Sequence, residues 1–207
     1  MSAKELLHRY LDECPLVAIV RGIAPDEAQA IGEAVREAGI RIIEVPLNSP
    51  NPMRSIELLA KTLGDSMLIG AGTVLSADQV RRVKDSGGQI IVSPDTNTSV
   101  IAEAAEAGLI SAPGYFTPSE AFAAIRAGAT ALKLFPGEAA SPSVLKAHLA
   151  VLPSDIPLLI VGGIGPDNMR PWLDAGATGF GLGSGLYKPG QSGADTLAKA
   201  RAYVAGL

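Results

Sequence analysis

The stretch Arg126-Ala127-Gly128-Ala129-Thr130-Ala131-Leu132-Lys133-Leu134-Phe135-Pro136 decides the fold. Its Ala-Gly pair reads as a helix stop, because glycine accepts the left-handed conformation that closes a helix. The run from Ala129 to Phe135 is continuously apolar apart from Thr130 and Lys133, as in a parallel strand covered on both faces. The same phrase recurs at Ala38-Gly39, Ala107-Gly108 and Ala175-Gly176, each followed within a few residues by another apolar run. Along the whole chain the pattern predicts eight strands: Leu16 to Val20, Arg41 to Val45, Met67 to Gly70, Gln89 to Val92, Leu109 to Ala112, Ala129 to Phe135, Pro157 to Val161 and Gly179 to Gly183. Amphipathic helices are expected to start near Pro25, Asn51, Ser76, Asn97, Thr117, Ser141, Pro166 and Gln191, several with capping residues such as Ser76. Eight β/α units in 207 residues close most economically into one α/β domain, a single-domain (β/α)8 TIM barrel. The segment Ala3 to Glu13 is expected to add an N-terminal extra helix over the barrel floor.

Composition fits a compact protein, with 47% hydrophobic and 18% charged residues and no low-complexity tract. A net charge of −4 and the lack of a Lys/Arg cluster argue against nucleic acid or an anionic membrane as the main partner. No apolar run approaches the length of a membrane span. The single Cys14 allows no intrachain disulfide, and Met1 to Arg9 lacks the apolar stretch of a signal peptide, so a cytoplasmic location is expected.

In a barrel of this kind the chemistry sits at the carboxyl ends of the strands. Lys133 is the residue to explain there, because an interior ammonium costs several kcal/mol unless it is paired or loses its proton. Two outcomes are open: a structural ion pair, or a neutral amine held as an imine-forming nucleophile. An ordinary lysine, with a pKa near about 10.4, is neutral at pH 7 in only about one molecule in a few thousand. Desolvation to about 7 to 8 raises that to roughly a tenth or more. Glu44 falls on the same interior face as Ile42 and Pro46, as Lys133 falls with Ala131 and Phe135. The two are therefore expected inside one barrel, as a salt bridge or as an amine with its proton carrier.

Gly162-Gly163 and Gly183-Ser184-Gly185 close strands seven and eight, where small residues let backbone N–H groups reach a phosphate; plain tight turns are the alternative. Gly70-Ala71-Gly72-Thr73 is a simple loop or a carboxylate holder. Arg21 closes the first strand, as a rim salt bridge or as a fork toward an anion. His8 and His148 fall in helices away from the strand ends and are expected to be solvated. No cluster has metal-ligand spacing and Ser184 has no histidine base, so neither a metal site nor a serine hydrolase is expected.

Together, Glu44-Val-Pro-Leu-Asn48, Gly70-Ala-Gly-Thr73, Ala131-Leu-Lys-Leu-Phe-Pro136, Val161-Gly-Gly163 and Gly181-Leu-Gly-Ser184 resemble the class I 2-keto-3-deoxy-6-phosphogluconate and phosphogalactonate aldolase family. The resemblance spans about residues 15 to 190, with motifs from five strands in order. It implies reversible cleavage of a phosphorylated 2-keto-3-deoxy sugar acid to pyruvate and D-glyceraldehyde 3-phosphate, by a homotrimer and without cofactor. It further implies Lys133 as the Schiff-base lysine and Glu44 as general acid/base. Thr73 would hold the pyruvate carboxylate, Gly162, Gly163 and Ser184 the phosphate, and Arg21 would contact substrate. Asn48 and Val161 stand where the gluconate branch typically has arginine and threonine, which places the chain nearer the galactonate branch. A phosphogluconate or dual-specificity aldolase remains as the alternative within the family, and a phosphate-binding barrel epimerase or isomerase and a non-catalytic sugar-phosphate sensor as alternatives of other classes.

Overall fold

The computed structural model describes residues 2–207. Helix α1 (Ala3–Glu13) precedes β1 (Leu16–Ile19), α2 (Pro25–Glu37), β2 (Ile42–Pro46), α3 (Pro52–Leu63), β3 (Leu68–Gly72), α4 (Ala77–Asp85), β4 (Ile90–Val92) and α5 (Thr98–Glu106). Then follow β5 (Ile110–Ala112), β6 (Gly114–Tyr115), α6 (Pro118–Arg126), β7 (Leu132–Leu134), a 3-10 turn (Gly137–Ala139), α7 (Pro142–Leu149), β8 (Leu158–Val161), α8 (Arg170–Asp174), β9 (Gly179–Leu182) and α9 (Gly193–Ala205). Side-chain caps set most helix starts, at Ser2, Ser76, Asn97, Thr117, Ser141 and Ser192. The four expected helix stops are in place, with Gly39, Gly108, Gly128 and Gly176 all at positive φ.

All neighbouring strands are parallel, in the order β5-β4-β3-β2-β1-β9-β8-β7-β6. The two ends of that order, β5 and β6, are consecutive in the chain and separated by Pro113 alone. The additional strand, β6, thus lies just beyond the expected fifth strand, which ends at Ala112, and continues it past a proline that cannot donate to a ladder. β5 pairs with β4 while β6 pairs with β7, and the Lys133 N–H donates to the Pro113 carbonyl across the seam. That closes the (β/α)8 barrel. The helix of the seventh unit is shorter than expected, starting only at Arg170 after a run of turns.

The core has two parts. Residues such as Ala18, Val20, Ile43, Val45, Leu132 and Leu134 pack outward under the helices. Val17, Ile42, Leu68, Ile90, Ile110 and Ala131 fill the barrel, and Leu7, Tyr10 and Leu11 of α1 plug its floor from below. The plug leaves only the carboxyl end open, one step above Ile42 on β2 and Ala131 before β7. Those next interior positions are Glu44 and Lys133.

Candidate active site

Lys133 is 7% exposed and Glu44 3%. On β2, Glu44 pairs in register with Ile19 of β1 and Gly70 of β3, while Lys133 lies between Gly114 and Leu159. Gly72 has to be glycine in this arrangement, because a Cβ there would collide with the Glu44 carboxyl. Burial pushes that carboxyl up to about 7 against the opposing charges of Lys133 and Arg21. Burial likewise draws the Lys133 amine down to about 8; Glu44 resists the shift and Arg21 adds to it. Burial is the largest cause for both groups, so each is held toward its neutral form.

None of the ion pairs among the described residues involves Lys133 or Glu44. Glu44 Oε2 is buried without a hydrogen-bond partner, and Lys133 Nζ stands 4.6 Å from the centre of the Phe135 ring. A closed structural salt bridge is therefore not what these two residues form. They face each other across a gap, each with unused hydrogen-bonding capacity, which suits a group that must reach a third molecule.

Phe135 also lines a cleft of about 620 Å³, so the ring against which the amine rests forms part of the wall of this cavity. Arg21, Val161, Gly162, Gly163, Gly183, Ser184 and Gly185 line it as well. Gly162 and Gly163 adopt φ of 107° and 70°. Among the described residues, no protein acceptor takes the N–H groups of Gly163, Ile164, Ser184 or Gly185. Four free donors on two loops that line one cavity are what a cradle for an anion requires.

Arg21, on the rim, donates to Asn48 Oδ1 at 2.6 Å and to Thr73 Oγ1 at 3.4 Å and, among the described residues, has no carboxylate partner. Thr73 holds φ at 55°, the left-handed region, which costs a side-chain-bearing residue on the order of 1–2 kcal/mol. The strained turn aims its hydroxyl at Arg21. Of the residues predicted from sequence, Lys133 and Glu44 meet inside the barrel, Arg21 and Thr73 meet at its mouth, and Gly162, Gly163 and Ser184 meet around the anion cradle.

Two charged cleft residues escaped the sequence reading. Lys188 and Glu138 line the same cavity, and the Glu138 carboxylate stands where a Cβ on Gly162 would be. Lys188 follows Gly183-Ser184-Gly185 closely enough to have been found from position; Glu138, on the 3-10 turn after β7, gave no such signal. The expectation for the histidines needs correction. His8 is half-buried, and His148 is buried at 8% exposure, its Nδ1 3.4 Å from the Tyr115 hydroxyl and its ring tilted 47° to the tyrosine. Helix α7 turns this face inward onto the outside of β6, and burial lowers the imidazole pKa.

A closed parallel barrel, plugged below and holding a desolvated amine and carboxyl beside an anion cradle, defines a (β/α)8-barrel enzyme of small anionic molecules. The family model described as KDPG and KHG aldolase matches residues 7–200, and the chain belongs to that aldolase family. It is a carbon–carbon lyase. It is 50% identical to the 2-dehydro-3-deoxy-6-phosphogalactonate aldolase of Escherichia coli K12, over 95% of this chain and 96% of the relative. The KHG/KDPG aldolase of the same organism is 29% identical over 77% of this chain and 74% of the relative. A solved structure described as "Native KDPGal structure" superposes with a TM-score of 0.92 at 48% identity, covering 94% of both chains. Among the described residues no group of His, Cys, Asp and Glu could hold a metal ion, and no helix is long and apolar enough to cross a membrane.

Proposed function

We propose that this aldolase cleaves 2-dehydro-3-deoxy-6-phosphogalactonate reversibly to pyruvate and D-glyceraldehyde 3-phosphate through an imine on Lys133. The observation that carries the reading is a buried lysine with no ion pair among the described residues, drawn toward its neutral form beside Glu44. A neutral Nζ adds to the C2 carbonyl, and the carbinolamine expels its hydroxyl with a proton taken from solvent, leaving water and a protonated imine. Glu44 takes the proton of the C4 hydroxyl as the C3–C4 bond breaks. The bonding pair flows into the iminium, leaving an enamine and releasing the aldehyde. Glu44 then returns the proton to C3, and water hydrolyses the imine to free pyruvate and the lysine. No electron sink beyond the imine is required.

In this reading Thr73 and Arg21 hold the pyruvate carboxylate, with Asn48 steadying the guanidinium. Gly162, Gly163 and Ser184 hold the phosphate, and Lys188 adds charge. The galacto preference is supported by the 50% identity to the phosphogalactonate relative against 29% for the KHG/KDPG relative, and by Val161 in the cleft wall. Valine offers no hydroxyl with which to read the C4 configuration. Assembly as a homotrimer is supported by Leu75 and Phe116, large apolar side chains exposed just after β3 and β6. The cytoplasm is the compartment that suits a lone buried Cys14.

The deciding experiment measures turnover of both C4 epimers and traps the intermediate with borohydride in the presence of pyruvate. The expected results are a higher kcat/KM for the galacto epimer and a reduced adduct on Lys133. Val161→Thr should shift the ratio of kcat/KM values toward the gluco epimer by about 1 kcal/mol, the scale of one hydrogen bond. An adduct on another lysine, or a wild type that prefers the gluco epimer, overturns the reading.

A further inference from the structure

The anion cradle comes from two loops that are not bonded to each other in any strand ladder: Gly162–Gly165 after β8 and Gly183–Gly185 after β9. Their donors serve one phosphate only if the loops keep a fixed separation. Asn168 braces the first loop locally, its Nδ2 donating to the Gly163 carbonyl at 2.8 Å and its Oδ1 accepting from the Gly165 N–H at 2.9 Å. The second loop is wound into a turn in which the Gly183 carbonyl accepts from the N–H groups of Leu186 and Tyr187. Neither brace spans the two loops.

Tyr203 does. It belongs to α9, far from the cleft in sequence, and is 3% exposed. Its hydroxyl donates to the Ile164 carbonyl at 2.9 Å. The same hydroxyl occupies the space that a side chain on Gly185 would need, and a Cβ there would collide with it. One oxygen thus bonds one loop and abuts the backbone of the other. Because the C=O and the following N–H of a trans peptide point in opposite directions, fixing the Ile164 carbonyl also fixes the plane of its peptide with Gly165. Burial and the nearby Asp167 raise the phenol pKa, so the group stays protonated and remains a donor.

We propose that Tyr203 is a positioning residue for phosphate recognition, locking the β8 and β9 loops at the spacing at which their N–H groups converge on the substrate phosphate. The inference rests on reading the cradle as the phosphate site. Tyr203 touches no substrate; it acts through Ile164 and Gly185, and through them sets how strongly a phosphorylated substrate is preferred over its unphosphorylated counterpart. Gly185 is the complementary half of the device, since glycine alone leaves room for the hydroxyl.

The test compares wild type, Tyr203→Phe, Gly185→Ala and the double variant on the phosphorylated 2-keto-3-deoxy sugar acid and on the same acid without phosphate. Inorganic phosphate serves as a competitive inhibitor. Tyr203→Phe should raise KM for the phosphorylated substrate and Ki for phosphate about fivefold or more, the scale of one lost hydrogen bond. Its kcat, and its kinetics on the unphosphorylated acid, should stay within about twofold. Gly185→Ala should act in the same direction by driving the hydroxyl off Ile164, and it should cost less when Tyr203 is already phenylalanine, as expected of two residues sharing one contact. If Tyr203→Phe changes both substrates equally or neither, or if the two substitutions add without coupling, the positioning role is overturned. If Tyr203→Phe does not fold, Gly185→Ala alone decides by the same ratio of KM values. A wild type that shows neither preference for the phosphorylated acid nor inhibition by phosphate overturns the phosphate reading itself, and the role of Tyr203 with it.

Discussion

Lys133 and Glu44 are held in states that oppose folding near neutral pH. A lysine whose folded pKa is lowered contributes full stability only above its unfolded value of about 10.4, and loses it as pH falls through about 8. A glutamate whose folded pKa is raised contributes fully only below about 4.3, and loses it as pH rises through about 7. At pH 7 both losses are in force, so the surrounding core must offset them. Lys133→Met removes one of them and keeps chain length. We expect it to abolish turnover by several orders of magnitude while melting no lower than wild type, as followed by thermal unfolding at pH 7. A large drop in Tm with residual activity would make Lys133 a structural residue. Because the free amine is the nucleophile, kcat/KM should rise with pH through about 8 and fall below about 7, with apparent values that belong to the coupled pair. A flat profile from pH 6 to 9 (roughly the span of both titrations) would rule this out. Both residues were legible in the sequence, since each is a charge inside an apolar strand. The gap between them was not legible, because side-chain conformations inside the barrel set it.

Helix α1 shows how an element far from the chemistry supports it. Leu7 is fully buried against the barrel floor, in the same cluster as Ile42 and Ala131 beneath the two ionisable residues. Leu7→Ala should lower stability by about 2–5 kcal/mol, the range for a leucine truncated in a closed core, with kcat nearly unchanged. Denaturant unfolding and turnover of the same preparation check both halves. Helix α7 carries a different dependence, through His148 buried on Tyr115. A histidine whose folded pKa is lowered favours folding while neutral, so its contribution is lost as pH falls below its unfolded value of about 6.5. The His148 contribution should therefore decline from about pH 7 to 5, against the gain from Glu44 over the same range, and His148→Gln, which does not titrate, should become more stable relative to wild type as the pH falls. An unchanged slope would show that the imidazole takes no part. The α7 periodicity located this helix well, yet it did not reveal that His148 lies on the packed face, because that depends on the rotation of α7 over β6.

Across the whole molecule, α1 plugs the floor of the barrel, and two large apolar side chains stand exposed just beyond the carboxyl ends of the strands. Leu75 is 48% exposed and Phe116 37%. If these apolar side chains join subunits in the proposed trimer, Phe116→Lys should shift the sedimentation of the protein toward that of a monomer; an unchanged sedimentation coefficient would remove this face from the interface. The amino-acid sequence by itself determined the barrel, because continuous apolar runs, capped amphipathic helices and Ala-Gly stops are local signals that repeat along the chain. It also placed Lys133, Glu44, Arg21, Thr73, Gly162, Gly163 and Ser184 at strand ends, since a period of two residues fixes which side chains share a face. Only the tertiary structure decided that the fifth strand breaks at Pro113 to close the seam, that Lys133 and Glu44 stand apart without an ion pair, and that His148 is buried. It alone brought Tyr203 beneath two loops, the first of which it bonds at Ile164, 39 residues earlier in the chain. These features arise from contacts between segments distant in sequence, and no local pattern encodes the distance between two side chains until the barrel has closed around them.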